Sequence, residues 1–273
     1  MTRPRLVATD LDGTLLTSAG TLSPCTRRAL RDVEREGIEV VFVTARPPRW
    51  LPGLADAVGG HGHIICLNGA CVYEVATRAV SAVHGFDPSG LRAIVADLRG
   101  AAPGVALGLE GPDGAVLDPG FLDVDDADDI PGSEGVLVSP VESALDAPGA
   151  PTVGKLLARH PGLPRAAFLA DVLATVGDRA LLAHSGAAGL AEMTAPGVTK
   201  AAALARWCTT HDVPAADVWA FGDMPNDLPM LRWAGRSFAV ANADPEVLAA
   251  ATDTTSSNDE DGVARVLEAL LAR

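Results

Sequence analysis

An α/β fold is predicted for this 273-residue chain: a parallel sheet with helices on both faces, and an α+β module inserted into it. Three features predict it. Short apolar runs alternate with helix signals at both ends of the chain, which is the pattern of βαβ units. Several runs, Ile38 to Val43 above all, are apolar at nearly every position, as strands covered on both faces are. Between about Phe86 and His184 this rhythm gives way to shorter strand candidates in a segment rich in glycine, proline and aspartate. The units are therefore expected at 1–84 and 186–273 for the main sheet and at 85–185 for the insert.

Taken in order, Leu6 to Ala8 is the first strand, closed by Gly13. Ser23-Pro24 starts a helix, serine as cap and proline as first helical residue, and Gly37 stops it, with Leu30 and Val33 on one face. The buried strand Ile38 to Val43 ends in Thr44-Ala45-Arg46 before Pro47-Pro48 open another helix. Ile64 to Leu67 is a third buried strand closing on the turn signal Asn68-Gly69, and Val72-Tyr73 with Ala79 to Val83 makes a hairpin. In the insert, Asp87-Pro88 begins a helix through Leu98. Strands are expected there at Val105 to Leu109, Ala115 to Leu117, Val136 to Val138 and Val153 to Leu157, with a helix at Pro164 to Thr175. The acidic run Asp123 to Asp129 reads as a solvated loop. The first pattern resumes near Gly189. Thr199 caps a helix from Lys200 to about His211, Val218 to Phe221 is a strand, Leu228 to Trp233 a helix and Ser237 to Val240 a strand. Asp244-Pro245 caps a further helix, and the last, Gly262 to Leu271, follows Asp259, Glu260 and Asp261, whose charges complement its dipole.

Bulk properties narrow the partners. Hydrophobic content of 48% and charged content of 21% describe a globular protein with a full core. A net charge of −14 argues against nucleic acid or an anionic membrane as partner, and requires a metal or local cations for any phosphate ligand. No stretch reaches the ~20 apolar residues of a membrane span, and the N-terminal apolar run meets Asp10 too early for a signal peptide. A cytoplasmic protein, monomer or homodimer, is expected. Cys25, Cys66, Cys71 and Cys208 lack metal-ligand spacing and read as free thiols, although Cys66 and Cys71 flank one turn. His61 and His63 read as loop residues rather than ligands. Lys155 and Lys200 are the only lysines.

The chemistry concentrates at strand ends. Asp10 and Asp12 stand two apart after an apolar strand, so period two points both the same way. Burying them costs several kcal/mol per ion without a cation. One Mg²⁺ would relieve the repulsion and leave Asp10 poised as a nucleophile. A polar strand end before a hairpin turn is the alternative for this motif alone. An EF-hand loop is excluded, because Leu15 and Thr21 occupy the positions that need glycine and glutamate. Asp10/Asp12, Thr44, Asn68 and Asp223 all follow strand candidates, and in an open α/β sheet such ends share one ligand-binding edge. Asp10, the Asp12 carbonyl and Asp223 would suit octahedral Mg²⁺, with Asp227 behind them orienting a ligand or Lys200. Asn226 and Asp227 could equally cap the helix that follows. Lys200, at a helix start where a cation opposes the dipole, suits a charge aimed at phosphate or clustered carboxylates; placement on a solvated face is the alternative. Thr44 could donate to a phosphate oxygen and Arg46 could meet one bidentately.

The set Asp10-Leu11-Asp12-Gly13-Thr14, Thr44, Asn68-Gly69-Ala70, Lys200 and Gly222-Asp223-Met224-Pro225-Asn226-Asp227 resembles the motifs of the haloacid dehalogenase superfamily. It is most similar to the Cof-type, sugar-phosphatase-like branch, as are Asn242-Ala243 and the stretch Ser257 to Val263. The insert resembles that branch's α/β cap in position and length. The resemblance implies a Rossmann-like core and a Mg²⁺-dependent phosphatase of small phosphorylated metabolites, sugar phosphates leading. In it Asp10 would attack phosphorus and form an aspartyl-phosphate, and Asp12 would serve as acid and then base. Thr44, Lys200 and Asn226 would hold the phosphoryl oxygens, while Asp10, Asp12 and Asp223 would hold the metal. A phosphomutase of similar architecture, a narrow sucrose- or mannosylglycerate-phosphate phosphatase, and a phosphometabolite-binding regulator without turnover are the alternatives.

Overall fold

The structure is a computed structural model that describes residues 3–55, 62–122, 135–183 and 189–272. The main sheet is built from β1 (Leu6–Thr9), α1 (Pro24–Arg35), β2 (Glu39–Val43), α2 (Pro52–Ala55), β3 (His63–Cys66), β4 (Cys71–Glu74) and β5 (Ala79–Ser81). The chain then forms α3 (Pro88–Ala101), β6 (Ala106–Gly111), β7 (Gly114–Leu117), β8 (Val136–Val138) and α4 (Val141–Asp146). Next come β9 (Lys155–Arg159), α5 (Arg165–Val176), β10 (Leu181–Ala183) and β11 (Leu190–Thr194). It returns to the main sheet through α6 (Lys200–Thr210), β12 (Val218–Gly222), α7 (Leu228–Trp233), β13 (Arg236–Val240), α8 (Pro245–Ala250), β14 (Asp253–Thr255) and α9 (Gly262–Leu271).

The main sheet has the order β14-β13-β12-β1-β2-β3-β4-β5, parallel from β14 to β3 and antiparallel beyond. From β1 the chain builds outward on one side through β2 and β3 and later on the other through β12 and β13. The β12–β1–β2 boundary is therefore the switch point where ligands bind in open α/β sheets. The second sheet has the order β10-β11-β9-β6-β7-β8 and is antiparallel except for β7 and β8. Local signals explain the ends of elements. The Ser23 hydroxyl accepts from the Thr26 amide at 3.0 Å, Pro24 follows it, and Gly37 leaves α1 at φ +78°.

Along β6 and β9 alternate side chains take opposite faces. Leu107 and Leu156 join the main core, which runs on through Val153, Leu67 and Ala70 to Leu6 and Val41. On the other face Ala115, Leu117 and Phe121 form a small separate cluster, with Leu157 and Leu190 packed against it. Among the described residues no helix is long and apolar enough to cross a membrane. Cys66 and Cys71 face each other across β3 and β4 with sulfurs 3.4 Å apart and unbonded.

Several expectations need correction. The main sheet does not resume at residue 186: Leu190–Thr194 pairs with β9 and β10 in the second sheet. Glu192 and Thr194 alternate with Ala191 and Met193 as a solvent-facing polar row would, yet both are buried here. Pro47-Pro48 open only a single 3-10 turn, Pro48–Trp50, before the short α2. The strand expected from Val153 starts at Lys155, and α4, β10 and β14 had no clear signal. The acidic run Asp123 to Asp129, His61 and residue 186 lie outside the described residues.

Candidate active site

Three neighbouring strands deliver the central groups. Asp10 follows β1, Asp223 follows β12 and Thr44 follows β2, so all three emerge at one edge of the sheet, and all are buried. Lys200, the first residue of α6, is 2% exposed and reaches them from the side. Its Nζ lies 2.6 Å from Asp10 Oδ1 and 2.7 Å from Asp227 Oδ1. The other oxygen of Asp227 accepts from the amides of Asp223 and Met224, both at 3.1 Å. Asp227 is thereby fully engaged, holding Lys200 on one side and the Asp223 backbone on the other. The Thr14 hydroxyl donates to Asp223 Oδ1 at 2.7 Å.

Electrostatics favour a divalent cation here. Carboxylate oxygens of Asp10, Asp223 and Asp227 all lie within 4.8 Å of one another. Three carboxylates against one ammonium leave two negative charges uncompensated when all are ionised. Burial pushes the Asp10 carboxyl well above the usual carboxylate range; Lys200 pulls it back, and the Asp227 and Asp223 charges add to the rise. Burial likewise raises Asp223 to about 6, against the pull of the Thr14 hydrogen bond. Burial acts to lower Lys200, but Asp10 and Asp227 outweigh it and hold the ammonium above its ordinary range. Hard oxygen donors carrying an uncompensated double charge suit Mg²⁺. Asp10 and Asp223 are the side chains that fit it, because both oxygens of Asp227 already accept hydrogen bonds.

Asp12 and Arg46 differ from expectation. The Asp12 carboxylate is 55% exposed rather than buried beside Asp10, because the chain leaves β1 after Thr9 and turns. Arg46 forks onto it, with Nε 2.7 Å from Oδ2 and Nη2 against Oδ1, so in this structure its bidentate partner is Asp12. Thr44 lines the cavity, and its hydroxyl oxygen accepts from the Arg46 amide at 3.1 Å. Asn68, at φ +56°, sits beside the main cavity rather than on its wall, its Oδ1 accepting from Asn226 Nδ2 at 3.4 Å. Asn68 Nδ2 and Asn226 Oδ1 have no partner among the described residues, an unusual state for buried amides.

Above these groups lies a cavity of about 540 Å³ between the two sheets. Asp10, Asp12, Thr44, Arg46, Lys200 and Asn226 line its floor. Its middle carries two ion pairs between buried side chains, Arg49–Glu110 and Lys155–Glu192. The roof is apolar, with Leu117, Phe121, Leu157 and Leu190, and Arg159 lies over the Phe121 ring at 5.7 Å. Thr14, Arg49, Glu110, Lys155 and Glu192 were not among the expected site residues. Lys155 carried a usable signal, since both lysines of the chain line this one cavity. Asn242 was also missed as a support: its Nδ2 donates to Gly13 O at 2.7 Å, and its Oδ1 accepts from the Asn258 amide at 3.0 Å.

Comparison with known proteins accords with this geometry. The pattern of the haloacid dehalogenase-like hydrolases matches residues 7–129 and 165–267. Among curated proteins, the 5-amino-6-(5-phospho-D-ribitylamino)uracil phosphatase YitU of Bacillus subtilis is 29% identical, over 98% of this chain and 97% of that one. The pyridoxal phosphate phosphatase YbhA of Escherichia coli is 26% identical, over 96% of this chain and 97% of that one. Among solved structures, SMU.1108c of Streptococcus mutans superposes with a TM-score of 0.85 at 24% identity, covering 99% of this chain and 100% of that one, and so shares the fold.

Proposed function

Because the chain belongs to the haloacid dehalogenase-like hydrolases, in the Cof-type branch, we propose that it is a Mg²⁺-dependent phosphatase of small phosphorylated metabolites. The observation that carries this reading is the meeting of Asp10, Lys200 and Asp223, from segments about 200 residues apart, beneath a cavity sized for a metabolite. Asp10 attacks phosphorus and forms an aspartyl-phosphate. Lys200, 2.6 Å from Asp10, orients the nucleophile and faces the charge that builds on the phosphoryl oxygens. Thr44 and Asn226, which line the same cavity, complete the grip. Asp12 lines the cavity with both oxygens held by the Arg46 fork; released from that fork, it protonates the leaving oxygen and then takes a proton from water in the second step. Asp10, Asp223 and the Asp12 carbonyl would hold Mg²⁺, whose charge would offset that of the phosphoryl group. The unit carrying the second sheet serves as a cap that excludes bulk water and selects the leaving group.

The cavity's polar middle suits the hydroxyls of sugar or polyol phosphates. Its apolar roof supports a second reading, in which the leaving group also carries a planar ring packed on Phe121 and Leu157. The names of the Bacillus and Escherichia relatives, a ribitylaminouracil phosphate and a pyridoxal phosphate phosphatase, describe leaving groups of that kind.

The test is phosphate release, with and without Mg²⁺, from a panel of open-chain, sugar and ring-bearing phosphomonoesters. We expect Mg²⁺-dependent release, and at least a thousandfold loss of kcat in Asp10→Asn, on the order of other nucleophile removals. Binding of the panel without phosphate release would favour the regulator, and transfer to a second hydroxyl without free phosphate would favour the mutase. Equal rates for ring-bearing and open-chain substrates would remove the second reading.

A further inference from the structure

Resting on the phosphatase reading, we propose that Lys155 is a positioning residue: clasped by Glu192, it pins the Ala45 carbonyl and sets the Thr44–Arg46 segment when the second sheet sits on the first. Lys155 opens β9 and is 4% exposed. Its ammonium donates to Ala45 O at 2.9 Å and to Glu192 Oε2. In the β9–β11 register Lys155 stands opposite Thr194, so Glu192 is its diagonal neighbour on the same sheet face, within reach of a long side chain. The strand gets close enough because the preceding residue is glycine. A Cβ on Gly154 would lie 2.9 Å from Ala70 Cβ and 3.1 Å from Leu67 Cδ1.

The pinned segment carries the chemistry. Thr44 is the phosphate-facing hydroxyl at the end of β2, and Arg46 is the fork on Asp12. Within the main sheet their backbone is tied by Asn68 N to Thr44 O and by Leu67 N to Arg46 O, both at 3.0 Å. Ala45, between them, gives its carbonyl to Lys155 across the inter-sheet boundary. A continuous path thus runs from Glu192 through Lys155, Ala45 and Arg46 to the carboxylate proposed as acid and base. A buried ion pair is weak support for stability, since apolar replacements are commonly as stable. What apolar side chains could not supply is a donor to Ala45 O. With that bond broken, the segment loses the contact that couples Thr44 and Arg46 to the seating of the cap.

The deciding comparison is Lys155→Met against the double variant Lys155→Met/Glu192→Met. The double variant removes both charges and so leaves no unpaired carboxylate, separating the fold from the Ala45 bond. We expect the double variant to melt close to wild type yet to show kcat reduced by about tenfold or more, as for a misplaced binding group. Amide exchange in peptides spanning residues 44–50 and 64–70 should be about tenfold faster, reporting local loosening. Wild-type kcat together with unchanged exchange in the double variant would overturn the proposal, as a purely structural ion pair requires. Gly154→Ala keeps both charges while pushing β9 off Leu67 and Ala70; it should raise exchange in the same peptides, and its failure to do so would count against the proposal even if the methionine variants misfold. If the wild-type protein hydrolyses no phosphomonoester, the phosphatase reading falls, whereas the exchange data still decide whether Lys155 holds this segment.

Discussion

Gly13 meets two demands at once. Its φ of +77° lies where side chains are strained, and a Cβ there would stand 2.4 Å from Asp223 Oδ2. The turn after Asp12 is thus shaped to admit a carboxylate from a strand some 210 residues later. That carboxylate would make binding of the proposed Mg²⁺ sensitive to pH. Asp223 is raised to about 6 in the folded, metal-free chain, against 3.8 as its ordinary value. Between those values the native state holds more protons than the unfolded state, so this group's contribution to stability falls as pH rises from about 4 to 6. Mg²⁺ must displace the proton, so its binding strengthens over the same interval. We expect the rise in melting temperature caused by a fixed Mg²⁺ concentration to be several-fold larger at pH 7 than at pH 5, measured by scanning calorimetry. An equal rise at both values would show that Asp223 does not bind the ion.

At the scale of elements, the site is assembled where one helix start meets one turn. Thr199 caps α6, its side chain accepting from the Ala202 amide at 3.1 Å, and so fixes the helical residue from which Lys200 projects. The turn Leu67–Gly69 abuts the same point: a Cβ on Gly69 would lie 2.3 Å from Thr199 O. Gly69 and Gly37 both have positive φ, but nothing lies within 4 Å of a Cβ on Gly37. Their alanine variants therefore separate backbone strain from collision. Gly37→Ala should cost about 1–2 kcal/mol, the left-handed penalty alone, and leave kcat unchanged. Gly69→Ala should cost more in urea unfolding and lower kcat by displacing Thr199 and Lys200. Similar stability and kcat for the two would remove the link between this turn and the lysine.

At the scale of the molecule, two sheets share one cavity and are tied across it by buried charge. Arg49, from the loop after β2, sets Nε and Nη2 at 2.9 Å from the two carboxylate oxygens of Glu110 on β6. Both side chains are largely buried, 11% and 4% exposed. Removing one partner leaves a charge without its counterion. Arg49→Met should destabilise by about 3–5 kcal/mol in urea unfolding, and Arg49→Met/Glu110→Met should recover most of that loss. Equal instability of single and double variants would mean that Arg49 acts through contacts other than Glu110, among them its packing on Trp50, whose ring lies 5.1 Å from the guanidinium.

The sequence by itself determined the α/β class, the succession of strands and helices in the main sheet, and the floor of the site. Those features are local: apolar period, proline and glycine punctuation, and a carboxylate or hydroxyl just past a strand are visible within a few residues. Asp10, Thr44 and Asp223 were legible because each carries such a signature, and Lys200 because a lysine stands at a helix start, where a cation opposes the dipole. The tertiary structure decided what depends on pairing between distant segments. Leu190–Thr194 joins the second sheet because β9 offers it an edge, Arg46 forks onto Asp12, and Thr14 supports Asp223. Lys155 and Glu192 become one buried pair only through strand register, which no local pattern encodes: a polar residue on a strand looks the same whether it faces water or a counterion.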